Sequence, residues 1–144
     1  MEGRGQALNA LVIDASALGP IFFEDEADRI AELEALIVSE DIIVPACWSF
    51  EIANMILMAV RKQRIAPDSQ AELLALATGF QVVQDDASIH AALSASFAMA
   101  SRHNLTVYDA AYLELAIRRG AALATLDKAL VRAARAEHVR VYTK

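Results

Sequence analysis

Four acidic side chains stand beside or inside apolar segments of this sequence. They are Asp14, Glu51, Asp109 and Asp127. Carboxylates are among the side chains least often buried without a partner, because a charge taken out of water must be paired or coordinated. The coincidence of four such residues therefore indicates a shared site. A divalent metal ion is the natural partner for a site of this kind.

Each acidic residue also has a purely structural explanation when it is taken alone. Asp109 and Asp127 stand where helices are expected to begin, and aspartate is a common N-cap residue. Asp14 follows the apolar residues 10–13 and is suited to a turn. Glu51 interrupts the apolar run 46–60, where an arginine partner would explain it. These alternatives stay open at the level of the sequence.

The residue types favour a hard cation over zinc. Two carboxylates ~4 Å apart repel each other by about 4 kcal/mol at an effective dielectric constant of about 20, and a divalent cation removes this penalty. Mg²⁺ prefers oxygen ligands and keeps several waters, and Mn²⁺ accepts the same set. The three histidines, His90, His103 and His138, are scattered along the chain. A carboxylate-bound Mg²⁺ can activate water and stabilise charge on a phosphate.

Short apolar runs alternate with longer amphipathic stretches, which predicts the elements that must position these residues. The predicted strands cover 11–13, 42–44, 81–83, 123–125 and 139–142. The predicted helices lie near 25–39, 47–62, 69–78, 87–103, 109–119 and 128–136. In the fourth of these helices, Ile89, Leu93, Phe97 and Ala100 recur at helical spacing. The alternation predicts an α/β sandwich with a mainly parallel sheet, whose carboxyl edge would gather the four acids.

The composition is that of a compact protein in a reducing compartment. The chain has 144 residues, 56% hydrophobic and 22% charged, which fits a single domain over 1–144. One cysteine, Cys47, forms no internal disulfide and is expected to be a small core residue. Residues 1–9 do not resemble a signal peptide, and the apolar run 46–60 is shorter than the ~20 residues that span a bilayer. We therefore expect a cytoplasmic protein.

The net charge of −6 argues against a protein that coats nucleic acid, but it does not exclude a nuclease. Proteins that bind nucleic acids along their surface are usually basic. Bound metal ions, however, supply local positive charge that a residue count ignores.

Four sequence blocks, in this order and spacing, resemble the PIN domain family, and specifically the VapC-type toxins of bacterial toxin–antitoxin pairs. The resemblance extends from about residue 10 to residue 144. The blocks are LVIDASAL at 11–18, VP at 44–45 with EIAN at 51–54, LTVYDAAYLELA at 105–116 and LATLDKAL at 123–130. The family implies a three-layer sandwich with a mainly parallel central sheet of about five strands.

The resemblance also implies a Mg²⁺- or Mn²⁺-dependent endoribonuclease. Asp14 and Asp109 would bind the metal directly, whereas Glu51 and Asp127 would act through water or orient the nucleophile. Residues expected to support the site are Ser16, Asn54 and Thr125. A homodimer is implied, as is a cognate VapB-type antitoxin whose C-terminal segment fills the acidic groove.

Other classes of protein compete with this interpretation. A receiver domain that accepts a phosphoryl group is also an α/β domain with an acidic Mg²⁺ pocket, but it normally has paired acids after its first strand. A PIN-fold protein without catalytic activity would only bind a partner. A phosphatase of the haloacid dehalogenase type needs a second aspartate two residues after Asp14, where this chain has Ser16.

Overall fold

The computed structural model describes residues 10–86 and 89–143, and the central element of these residues is a parallel sheet of five strands. The strands are β1 (Ala10–Ile13), β2 (Asp41–Val44), β3 (Val83–Gln84), β4 (Ala122–Ala124) and β5 (Val141–Tyr142). Their order across the sheet is β3-β2-β1-β4-β5, and every neighbouring pair is parallel. The predicted fold class is therefore confirmed.

Helices connect the strands, as a parallel sheet requires. They are α1 (Gly19–Phe22), α2 (Ile30–Ser39), α3 (Trp48–Arg61), α4 (Gln70–Thr78), α5 (Ile89–Ala91), α6 (Phe97–His103), α7 (Val107–Arg119) and α8 (Lys128–Ala136). A π-helical segment, Ala92–Ser96, joins α5 to α6. Short 3₁₀ turns cover Ala15–Leu18, Glu24–Arg29 and Pro67–Ser69.

The predicted elements differ from the observed ones at the ends of helices and in two strands, since the third strand covers Val83–Gln84 rather than 81–83 and the fifth covers Val141–Tyr142 rather than 139–142. Helix α7 begins at Val107, two residues before the predicted start, because Thr106 caps it. The turn 15–18 and helix α1 were not predicted, since their short apolar sequence has no clear helical period. Residues 1–9, where we expected no signal peptide, and residues 87–88, at the start of the fourth predicted helix, lie outside the described residues.

The core lies between the central strands and helices on both faces of the sheet. Every residue of β1 and β4 is buried, which explains their uninterrupted apolar sequences. Helix α7 contacts β1 and β4 and contributes buried Tyr112, Leu113 and Leu115. No helix in the described part of the chain is long and apolar enough to cross a membrane.

One apolar face that the sequence predicts is not in the core. Of the four residues that recur along the fourth predicted helix, Ala100 is buried, but Ile89, Leu93 and Phe97 are 80%, 74% and 60% exposed. The helical period was correct, and it produces an exposed apolar stripe in this chain.

The order of the strands creates a crevice at the carboxyl edge of the sheet. The chain runs outward from β1 to β2 and β3, and then returns to place β4 on the other side of β1. The connection after β1 therefore leads towards β2, whereas the connection after β4 leads towards β5 on the opposite side of the sheet. The two connections diverge, and a crevice is left between the ends of β1 and β4. In open α/β sheets, ligands bind at such a point, beyond the carboxyl ends of the strands.

Candidate active site

Asp14 occupies this crevice because it is the first residue after β1. Strand pairing sets Ile13 beside Ala124, and the backbone N–H of Asp14 continues the ladder by donating to the carbonyl oxygen of Ala124 at 2.9 Å. The side chain of Asp14 is only 5% exposed. A carboxylate so deeply buried at the end of a central strand needs polar partners.

Two hydroxyl groups supply these partners. Ser16 Oγ and Thr125 Oγ1 each donate to Asp14 Oδ2 at 2.7 Å. The same hydroxyl oxygens accept backbone N–H groups from the loop after β4: Leu126 donates to Ser16 at 3.0 Å, and Asp127 donates to Thr125 at 3.1 Å. The network ties the two loops of the crevice together and fixes the orientation of the Asp14 carboxylate.

Asp127 is the N-cap of helix α8. Its Oδ1 accepts the backbone N–H of Leu130 at 2.9 Å, so the structural explanation given by the sequence is correct for this oxygen. A cap does not exclude a second role, because a carboxylate has two oxygens and about four acceptor positions. The cap holds the carboxylate at the mouth of the crevice.

Asp109 lies in the first turn of helix α7, but it is not the cap. Thr106 has that role, and its Oγ1 accepts the backbone N–H of Asp109 at 3.1 Å. The carboxylate of Asp109 is half-buried. Because another residue caps the helix, capping does not account for an acidic side chain here.

Glu51 lies in the first turn of α3 and is held by a residue that the sequence analysis did not select. The hydroxyl of Tyr112, which is fully buried, donates to Glu51 Oε1 at 2.5 Å. No arginine pairs with Glu51 among residues 10–86 and 89–143. Tyr112 lies one helical turn after Asp109, and this spacing was the signal that could have identified it.

The electrostatic interactions show that the four carboxylates share one region. Burial raises the pKa of Asp14, and the negative charge of Asp127 raises it further. The hydrogen bonds from Ser16 and Thr125 lower this pKa but do not cancel the rise. Burial also raises the pKa of Asp109, with the charges of Asp127 and Asp14 adding to the effect. The pKa of Glu51 is raised by burial and by Asp14 and Asp109, although the hydrogen bond from Tyr112 opposes the shift. Asp14 and Asp109 thus interact with both of the other acids.

The donor set fits a hydrated divalent cation. Within the described part of the chain, none of the four carboxylates forms an ion pair, and no group of three or more histidine, cysteine, aspartate or glutamate side chains is close enough to hold a metal. Mg²⁺ commonly binds through one or two carboxylates and keeps several waters, so it does not need a third protein ligand. Carboxylates whose pKa values are raised by burial, and further by their mutual repulsion, fit this ion.

The sequence analysis predicted that Asn54 supports the site and that Cys47 is a small core residue. Asn54, three residues after Glu51 on α3, is exposed and makes no side-chain hydrogen bond to the other described residues. Cys47 is half-buried, and burial together with the charge of Glu51 raises the pKa of its thiol to about 11. A thiol with this pKa is protonated at neutral pH and is a poor nucleophile.

Comparisons with known proteins agree with one another. The sequence model of the PIN domain matches residues 11–136. A relative named Ribonuclease VapC3, from Pyrobaculum aerophilum, is 32% identical over 120 residues, which cover 83% of this chain and 91% of the relative.

Solved structures share the fold. PAE2754 from Pyrobaculum aerophilum superposes with a TM-score of 0.65 at 22% identity, covering 92% of this chain and 82% of the other. Mycobacterium tuberculosis VapC20, described as a Sarcin-Ricin loop cleaving toxin, gives a TM-score of 0.63 at 13% identity, with 85% of this chain and 94% of the other covered.

Proposed function

We propose, because this chain belongs to the PIN domain family, that it is a metal-dependent endoribonuclease and the toxin of a type II toxin–antitoxin system. The similarity to Ribonuclease VapC3 extends over most of both chains and supports ribonuclease activity. The observation that carries the proposal is the buried Asp14, held by two hydroxyl groups between β1 and β4 with Asp109, Asp127 and Glu51 in electrostatic range.

We assign direct metal binding to Asp14 and Asp109. Bound to these two carboxylates, Mg²⁺ or Mn²⁺ would supply a water of lowered pKa and positive charge beside the phosphate. Ser16 and Thr125 keep the Asp14 carboxylate in place, so the site needs little rearrangement when the substrate binds. Groups that hydrogen-bond to a metal-binding side chain orient that side chain and strengthen the binding of the metal.

Glu51 and Asp127 are assigned roles through water. The hydroxyl of Tyr112 donates a hydrogen bond to Oε1 of Glu51. Oε2 makes no hydrogen bond with the described residues, so it is available to accept one from the attacking water. In the same manner, Oδ1 of Asp127 accepts a hydrogen bond from the backbone N–H of Leu130. In each case the protein fixes one oxygen and leaves the other for the reaction.

The proposed partners follow from the same assignment. We propose that RNA is the substrate, that a VapB-type antitoxin covers the acidic groove, and that the single domain acts in the cytoplasm. A homodimer is also proposed. The exposed apolar stripe Ile89, Leu93 and Phe97 supports it, because solvent-exposed apolar patches commonly mark interfaces.

The strand order argues against the receiver domain. Receiver-type doubly wound sheets have the order 2-1-3-4-5. The order here is β3-β2-β1-β4-β5, which places β4 rather than β3 beside β1. Incubation with acetyl phosphate is accordingly expected to leave the chain unlabelled, and stable phosphorylation of an aspartate would favour the receiver instead.

Expression in bacterial cells tests the proposed toxin. We expect growth to stop and discrete RNA fragments to appear after induction of the wild-type chain. Neither effect is expected for Asp109→Asn at the same protein level, because the metal loses a charged ligand. Growth arrest by both chains, with intact RNA, would contradict the proposal.

We expect Tyr112→Phe to reduce the rate of RNA cleavage by about 10- to 100-fold, the range seen when a group that orients a metal-site residue is removed. The ring and its packing are kept, whereas Glu51 loses the donor that fixes its orientation. The measurement is the initial cleavage rate at saturating Mn²⁺, together with the melting temperature. Tyr108→Phe is the matched control, because Tyr108 lies on the same helix but is 64% exposed. Equal rates for the two variants would remove Tyr112 from the site.

A further inference from the structure

We propose that three basic residues on helix α8 form a track that binds RNA phosphates beside the acidic crevice. The residues are Lys128, Arg132 and Arg135, referred to below as the α8 track. The inference rests on the proposed function, since it assigns the surface that holds the substrate of the same site. Arg61 and Lys62 are likewise exposed and unpaired within the described residues, so the track is distinguished from them by its position on the helix that Asp127 caps.

The geometry of α8 places the track on one face that begins at the site. Asp127 caps the helix, and Lys128 is its first residue. At about 1.5 Å per residue, Arg132 and Arg135 follow Lys128 by roughly 6 Å and 10 Å along the axis. All three are exposed, whereas the opposite face of the helix is buried through Leu130, Val131, Ala133 and Ala134. Side chains of a helix lean towards its N-terminus, so the track points towards the crevice.

The α8 track is unpaired, while most other arginines in the described residues are engaged in ion pairs. Arg64 binds Asp25 and Glu26, Arg102 binds Glu137, and Arg118 binds Asp85 and Glu114. Across the described ranges, the side chains of Lys128, Arg132 and Arg135 make no hydrogen bond or ion pair. Their charges are therefore available to a ligand.

Helix stability does not explain the first residue of the track. The N-terminus of a helix carries partial positive charge, so a lysine there is unfavourable, although a cation near the C-terminus such as Arg135 is favourable. Lys128 lies at the unfavourable end. A ligand that carries negative charge offsets this cost, and phosphate is also attracted to the exposed N–H groups of a helix N-terminus.

RNA needs such a surface in this protein. The chain has a net charge of −6, and the crevice itself is lined by carboxylates, so a polyanion is repelled unless local cations attract it. Phosphate contacts fix the register of a nucleic acid without reading its sequence. The α8 track thus positions the backbone for cleavage, and other surfaces select the target.

The test is RNA binding by variants that cannot cleave. Lys128→Ala/Arg132→Ala is compared with Arg61→Ala/Lys62→Ala, both made in Asp14→Asn protein, with bulk tRNA as the probe at several salt concentrations. The second double variant removes the same charge from exposed residues at the C-terminal end of α3, about 15 Å along that helix from Glu51. Melting temperatures verify that both variants are folded.

We expect the α8 double variant to bind tRNA about tenfold more weakly or worse, and its salt slope to fall by about one for each cation removed. The control double variant should change much less. Equal losses of tRNA affinity in the two double variants, or no loss in the α8 double variant, would contradict the proposal that the α8 track binds RNA. Cleavage by the chain with Asp14 intact is measured separately. If the chain with Asp14 intact does not cleave RNA but the α8 double variant still loses tRNA affinity as expected, the proposed nuclease activity is refuted and the proposed RNA-binding track is supported.

Discussion

Asp14→Asn is expected to reduce RNA cleavage by roughly 10³-fold, which is the upper end of the effect of removing one electrostatic stabiliser from an active site. The substitution keeps the shape of the side chain and an oxygen that accepts the hydrogen bonds from Ser16 and Thr125. It removes the charge that binds the metal. Single-turnover cleavage of RNA at saturating Mn²⁺ measures the loss. Cleavage at the wild-type rate would show that the site has been assigned wrongly.

The same substitution is expected to stabilise the metal-free fold at neutral pH. Burial and the charge of Asp127 raise the pKa of Asp14 above its ordinary value of 3.8, so the folded chain holds the proton more tightly than the unfolded chain. The contribution of Asp14 to stability is therefore complete below pH 3.8 and is lost as the pH rises through the raised pKa. Asparagine has no proton to lose and avoids this loss.

Urea unfolding in EDTA at neutral pH and below pH 4 tests the second part of the prediction. Asp14→Asn should have the higher free energy of unfolding at neutral pH, and the advantage should disappear in acid. Loss of stability at both pH values would mean that the carboxylate supports the fold, contrary to the account. Together the two measurements distinguish a residue kept for function from one kept for structure.

The second large effect is expected from the metal. At a concentration 100 times its dissociation constant, a ligand that binds only the folded state adds about 2.7 kcal/mol of stability. For a chain of this size, this corresponds to a rise of about 5–10 °C in melting temperature. Mn²⁺ and Mg²⁺ should both produce the rise, and EDTA should reverse it. The melting temperature with increasing metal measures both the affinity and the effect.

Variants with matched changes of charge locate the bound metal. Asp14→Asn and Asp109→Asn should lose most of the thermal shift, because each removes a proposed ligand. Asp68→Asn removes the same charge from an exposed residue of the turn Pro67–Ser69, and it should keep the full shift. A shift of the same size in all three variants would place the metal elsewhere.

The strands of the core could be predicted from the sequence, because burial on both faces leaves a simple signal. The strands predicted at 11–13 and 123–125 proved to be the central strands Ala10–Ile13 and Ala122–Ala124. Once the strands are parallel, the residues that follow them must lie at one edge of the sheet. Asp14 and Asp127 could therefore be expected at the same edge, whereas Thr125, which donates to Asp14 from 111 residues away, was selected from the family resemblance.

Features that depend on side-chain geometry could not be predicted in this manner. Tyr112 is an apolar core residue by its sequence context, and only its position opposite Glu51 shows that its hydroxyl has a specific acceptor. The exposed stripe at Ile89, Leu93 and Phe97 has the same helical period as a buried face. Periodicity shows that a helix has an apolar face, but it does not show what covers that face.

The basic residues illustrate the same limit. Arg118 and Arg132 are both arginines within helices and look alike in the sequence. In the fold, Arg118 pairs with the buried Asp85 and the half-buried Glu114, whereas Arg132 faces solvent on the helix that begins at the crevice. The difference arises from contacts between distant segments, and it decides which cations can meet an RNA backbone.

Cleavage of total RNA by the purified chain, free of any antitoxin, tests the central claim most directly. Wild-type protein and Asp14→Asn are incubated with Mn²⁺, then with excess EDTA, and then with Mn²⁺ restored, and the ends of the fragments are mapped. The account predicts discrete fragments that require both the metal and Asp14 and that reappear when the metal is restored. Fragments that persist in EDTA, or that Asp14→Asn produces at the wild-type rate, would contradict it.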